Sequence, residues 1–110
     1  MLIIDATTPE QVEQAIAGQP RLLVDFHKDH CPGCRMLELS LQRVAGTPAG
    51  QGVTVLRVQL EVLGEGFFRG LGLRQTPTLA VFRDGQEAAR LGGYQSPQQI
   101  ERAIAEHLGW

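Results

Sequence analysis

A chain of 110 residues with 43% hydrophobic and 20% charged side chains has the composition of one globular domain and is too apolar for a disordered segment. A formal net charge of −2 builds no basic field for nucleic acid, which excludes that class of partner from the expectation. No apolar run approaches the ~18–20 residues of a membrane span, so no membrane is expected either.

The amino end, Met1-Leu2-Ile3-Ile4-Asp5, lacks a basic stretch, an apolar core and a cleavage site, and a cytoplasmic location is the expectation. Leu2-Ile3-Ile4 reads as a short opening strand. Thr8-Pro9-Glu10-Gln11 then combines a capping hydroxyl, Pro at the first helical position and Gln at the third. Val12, Ala15 and Ile16 supply that helix's apolar stripe, and Gly18 with Pro20 ends it. Leu22-Leu23-Val24-Asp25-Phe26 is almost continuously apolar, as a central strand covered on both faces should be. Cys31-Pro32-Gly33-Cys34 follows, opening a helical pattern whose apolar positions are Leu37, Leu41, Val44 and Ala45.

Residues 53–60 predict a further strand. Glycines at 64, 66, 70 and 72 leave room only for a short, imperfect helix between them. Leu79-Ala80-Val81-Phe82 enters the hairpin signal Asp84-Gly85, with a weaker strand at residues 87–91. Ser96-Pro97-Gln98-Gln99 repeats the helix-start grammar ahead of Ile100, Ala103, Ile104 and Leu108. The order β-α-β-α-β-α-β-β-α argues for one mixed α/β sheet with helices on both faces, forming a single domain over residues 1–110.

The chain has two cysteines, Cys31 and Cys34, and the small ring they would close is worth at most about 2 kcal/mol as a staple. Chemistry explains the spacing better. Cys31 falls at a helix N-terminus, where unpaired N–H groups and the helix dipole favour a thiolate. Cys34 shares the inward stripe with Leu37, and its burial favours the thiol. One activated nucleophile backed by one resolving thiol is what thiol–disulfide exchange requires.

At these motifs the sequence resembles the thioredoxin family over essentially its whole length. Leu23-Val24-Asp25-Phe26, then Cys31-Pro32-Gly33-Cys34-Arg35, resembles the family's strand and active-site helix. Thr76-Pro77-Thr78-Leu79 is similar to its cis-proline loop, and Phe82-Arg83-Asp84-Gly85 to the hairpin after it. Gly92 stands where the family keeps a glycine, and Arg57-Val58-Gln59-Leu60-Glu61 resembles the third strand with Arg57 in place of Lys. Pro-Gly replaces the usual Gly-Pro between the cysteines. His27 and His30 stand where the family usually has tryptophans, and the only Trp is Trp110.

The resemblance implies a thioredoxin fold and a protein-disulfide oxidoreductase whose Cys31–Cys34 pair cycles between dithiol and disulfide without an added cofactor. It implies that Asp25 is a buried proton acceptor for Cys34. It also implies that Thr76 and a cis Pro77 bind the substrate strand. Its partners are protein disulfides and a thiol reductant or reductase, and the chain is expected to act as a monomer. His30, Pro32 and Gly33 are the expected tuners of Cys31: a neighbouring imidazolium favours the thiolate, and Pro32 removes one N–H that could have bonded it.

Asp25 has a plainer reading too, pointing to solvent or pairing with Arg57. His27 and His30 are most simply exposed loop residues. His27, His30, Cys31 and Cys34 are also four possible zinc ligands, although His27 at a strand end and Cys34 on an inward stripe would have to converge. A non-catalytic module binding protein or zinc is therefore the alternative, with no metal as the first expectation.

Overall fold

A strand that is apolar on both sides needs a partner on each edge and a layer on each face. In the computed structural model, which describes residues 1–109 and leaves Trp110 outside the described residues, the strand β2 (Arg21–His27) has all four. It follows β1 (Leu2–Ala6) and α1 (Pro9–Gly18) and precedes α2 (Pro32–Ala45) and a 3-10 turn at Pro48–Gly50. Then come β3 (Thr54–Gln59), α3 (Leu60–Leu63), α4 (Glu65–Gly70), β4 (Thr78–Arg83), β5 (Gln86–Gly92) and α5 (Pro97–His107). The five strands form one sheet in the order β1-β3-β2-β4-β5. β1, β3 and β2 run parallel, whereas β4 and β5 are antiparallel to their neighbours.

Alternation along the strands sorts the core into two layers. Leu23, Val55, Leu79 and Val81 face α2 and α5, where they meet Leu37, Leu41, Val44, Ile100 and Ile104. Leu22, Val24, Phe26, Leu56 and Val58 face the other way, toward Val12 of α1 and Phe68 of α4. The same alternation puts Asp25 and Arg57 on the α2 side, and the register sets them directly opposite each other.

The helices start where the capping residues are. The Thr8 hydroxyl accepts the Gln11 N–H at 3.2 Å. Ser96 and Gln99 form a reciprocal capping box, at 3.2 Å to the Ser96 hydroxyl and 2.7 Å to the Gln99 amide oxygen. The hairpin turn holds Asp84 at φ 50° and Gly85 at φ 85°, the doubly left-handed pair that a tight two-residue turn demands.

Two expected boundaries are corrected. The strand expected over residues 53–60 ends at Gln59, and Leu60 opens a helical turn instead. The single short helix expected after Gly64 is preceded by that turn, and Gly64 at φ 97° separates α3 from α4. A left-handed glycine interrupts helical geometry that its flanking residues otherwise continue. No helix among the described residues is long and apolar enough to cross a membrane.

Candidate active site

Cys31 is the N-cap of α2, with Pro32 in the first helical turn. Pro32 has no N–H to leave unsatisfied there, and its fixed φ suits the helix. The Cys34 N–H donates to Cys31 Sγ at 3.2 Å, so the sulfur occupies the place a capping oxygen usually fills. The two cysteines are joined as a disulfide. Cys31 is half-buried, whereas Cys34 is buried on the face of α2 that carries Leu37 and Leu41.

The cis peptide bond between Thr76 and Pro77 lies beside them. The Thr76 carbonyl oxygen is 3.9 Å from Cys31 Sγ. A Cβ added to Gly33 would stand 3.4 Å from the Pro77 ring, an ordinary van der Waals contact, so the helix start and the proline loop lie against each other. Two hydrogen bonds hold that loop: the Thr78 hydroxyl donates to the Gln75 carbonyl at 2.7 Å, and the Gly93 N–H to the Pro77 carbonyl at 2.8 Å. Any Cβ on Gly92 would collide with the Gln75 side-chain amide. Loop, strand end and helix start are thereby brought against one another from three distant parts of the chain.

Beneath α2, Asp25 is 0% exposed. Arg57 Nε donates to its Oδ2 at 3.4 Å, and Oδ1 has no hydrogen-bond partner among the described residues. The two readings of Asp25 are thus not exclusive: it is buried, and it also pairs with Arg57. Burial raises its pKa to about 6, against the opposing pull of Arg57, and the Glu38 charge adds to the rise.

Glu38, one helical turn beyond Cys34, had no role in the sequence reading. It receives Arg57 Nη1 at 3.5 Å on one oxygen and Arg35 Nη1 at 2.8 Å on the other. A charged chain therefore runs from the buried Asp25 through Arg57 and Glu38 to Arg35 at the surface. Cys34, Arg35, Glu38 and Arg57 line a common pocket with Cys31 and His30. The i, i+4 spacing of Cys34 and Glu38 was the available signal, since it puts both on one helix face.

The histidines separate. His27 is not an exposed loop residue. It ends β2 half-buried, and its Nε2 is buried with no hydrogen-bond partner among the described residues. Burial, helped by Arg57, pushes its pKa down. His30 is exposed and takes a left-handed φ of 53° just ahead of Cys31. Among the described residues, no group of three or more His, Cys, Asp or Glu side chains is arranged to hold a metal ion.

This geometry has known counterparts. A family model described as a thioredoxin-like domain matches residues 8–108. A thioredoxin of Alicyclobacillus acidocaldarius is 34% identical over 101 residues, covering 92% of this chain and 94% of the relative. A thioredoxin of Malassezia sympodialis is 26% identical over 98 residues, or 89% and 91% of the two chains. Among solved structures, Malassezia sympodialis thioredoxin superposes with a TM-score of 0.82 at 24% identity, over 97% of this chain and 94% of that one. Chloroplastic thioredoxin z reaches 0.84, also at 24% identity, over 100% and 97% of the two chains; these likenesses establish the fold.

Proposed function

The chain belongs to the thioredoxin family and is a thiol–disulfide oxidoreductase, and from that premise we propose that Cys31 is its attacking thiolate and Cys34 its resolving thiol. The observation that carries the assignment is the asymmetry of the pair: Cys31 caps α2 beside the Thr76 carbonyl, while Cys34 is buried.

Cys31 thiolate attacks one sulfur of a substrate protein disulfide. A Cys31–substrate bond forms, and the other substrate sulfur leaves as a thiolate. Asp25 takes the proton of Cys34, whose sulfur then attacks Cys31 Sγ. The Cys31–Cys34 disulfide forms, the second substrate sulfur leaves, and two electrons have passed to the substrate. Thr76 and Pro77 hold the substrate strand through backbone pairing. Cys31 is tuned by His30, by Pro32, which withholds one N–H, and by Gly33, which lies against Pro77.

A thiol reductant or reductase returns the pair to the dithiol. The chain acts as a monomeric single domain over residues 1–110 in the cytoplasm, on protein substrates rather than nucleic acid or membranes, and needs no added cofactor.

Two measurements test the reading. The protein should accelerate insulin reduction by dithiothreitol. Cys34→Ser should accumulate mixed disulfides with proteins, whereas Cys31→Ser should trap almost none. Equal trapping by the two variants would overturn the roles.

A further inference from the structure

On the proline-loop side of Cys31 lies a second groove, bounded by Lys28, α4 and the segment from Leu73 to Thr76. Its floor is apolar, formed by Leu60, Phe68 and Leu73, and its rim carries Lys28, Arg69 and Arg74. It is continuous with the redox site. Thr76 lines it while its carbonyl oxygen lies 3.9 Å from Cys31 Sγ, and Lys28 lines both this groove and the pocket over the cysteines.

The charge on this rim runs against the rest of the molecule, whose net charge is −2. Of the seven arginines elsewhere, Arg35, Arg57, Arg83 and Arg90 each pair with a carboxylate. Lys28, Arg69 and Arg74 have no ion-pair partner among the described residues. One carboxylate, Glu65, lines the same groove. The exposed Glu61 lies beside it, accepting the Asp29 N–H at 3.2 Å and the Gln59 amide at 3.3 Å. Three cations without ion-pair partners, against Glu65 in the groove and Glu61 beside it, leave the rim net positive around an apolar floor, a surface complementary to an acidic, partly apolar peptide segment.

We infer that this groove selects protein disulfides whose reacting cysteine is flanked by Asp or Glu. The inference rests on the oxidoreductase reading above and specifies its substrate class. A substrate strand laid along Thr76 would bring the residues next to its cysteine over the rim, where Lys28, Arg69 and Arg74 attract carboxylates and repel basic side chains.

The test uses the reduced full chain and three peptide disulfides of equal length, with the cysteines flanked by Glu, Gln or Lys. The Glu peptide should be reduced about ten-fold faster than the Lys peptide at low salt. The ratio should fall toward one between about 0.01 M and about 1 M salt, as the screening length drops from ~30 Å to ~3 Å. The triple variant Lys28→Gln, Arg69→Gln, Arg74→Gln should erase the preference at low salt. Arg102→Gln, a like charge change on α5 far from the groove, should retain it. Equal rates for the Glu and Lys peptides in the parent protein, or a preference that survives the triple variant, would overturn the inference while leaving the oxidoreductase reading intact. Failure to reduce any of the three peptides would instead overturn that reading, and this inference with it.

Discussion

As the proposed proton acceptor of Cys34, Asp25 would set the pH response of the site, because burial holds its pKa at about 6 rather than near the ordinary carboxylate value of 3.8. A base must be ionised to accept a proton, so the step in which Cys34 resolves a mixed disulfide should quicken as pH rises through about 6. Stopped-flow measurement of that step should show this rise in the parent protein. In Asp25→Asn it should flatten, with a rate on the order of 100-fold lower at neutral pH. The influence of Glu38 is separable. Its charge raises the Asp25 pKa, and it shares Arg57 with Asp25 at 3.5 Å against 3.4 Å. Glu38→Gln removes that charge and frees Arg57 for Asp25, so the midpoint of the pH profile should move down. An NMR titration of the Asp25 carboxyl should move in parallel. A profile unchanged by Glu38→Gln would mean that Glu38 only decorates the surface.

At the scale of the elements, the termini of α2 and α5 do different work with the same grammar. At α2 the capping atom is Cys31 Sγ, the sulfur proposed to attack, so the N–H that stabilises the helix start also faces the place where the thiolate charge would sit. At α5 the capping box is purely structural, and the helix behind it supplies Ile100, Ala103 and Ile104 to the core shared with α2. Ser96→Ala should therefore lower stability by about 1 kcal/mol, a fall in Tm of roughly 4–8 °C for a chain of this size. Disulfide-exchange rates at 25 °C should not change. Thermal melts and an insulin assay on one sample check both halves. A loss of exchange at unchanged Tm would give the α5 start a part in the site that its position does not predict.

For the molecule as a whole, the same buried carboxyl that is proposed to serve the redox step opposes folding when ionised. In the oxidised protein Asp25 binds its proton more tightly folded than unfolded, so stability falls as pH rises from about 4 through about 6 and then levels off. Raising the pKa from 3.8 to about 6 corresponds to about 3 kcal/mol. Asp25→Ala abolishes that term. Compared with the parent, the variant's relative stability should improve by about 3 kcal/mol between about pH 3 and about pH 8, whatever the truncation costs at low pH. Urea melts across that range measure the difference directly, and a constant difference would show that the folded state does not strain this ionisation.

Much of this was legible in the residues because its causes are local. Thr8-Pro9, Ser96-Pro97 and Asp84-Gly85 specify caps and a turn through chemistry confined to three or four residues, and the apolar run around Asp25 announces a strand covered on both sides. The Cys-Pro-Gly-Cys spacing likewise places one sulfur at a helix start and the other on its inner face, whatever surrounds them. The end of β3 was less legible, since Leu60 is apolar enough for strand or helix, and the split between α3 and α4 turns on the left-handed Gly64. What only the tertiary structure decided is who meets whom. Asp25, Glu38 and Arg57 lie on β2, α2 and β3, and strand register and helix packing alone join them. Gly33 met Pro77, and Lys28 met Arg69 and Arg74, in the same way. Local sequence sets which conformations a segment favours, whereas a pKa, an ion pair or a charged rim depends on distances across the chain that exist only once the two faces of the sheet are covered.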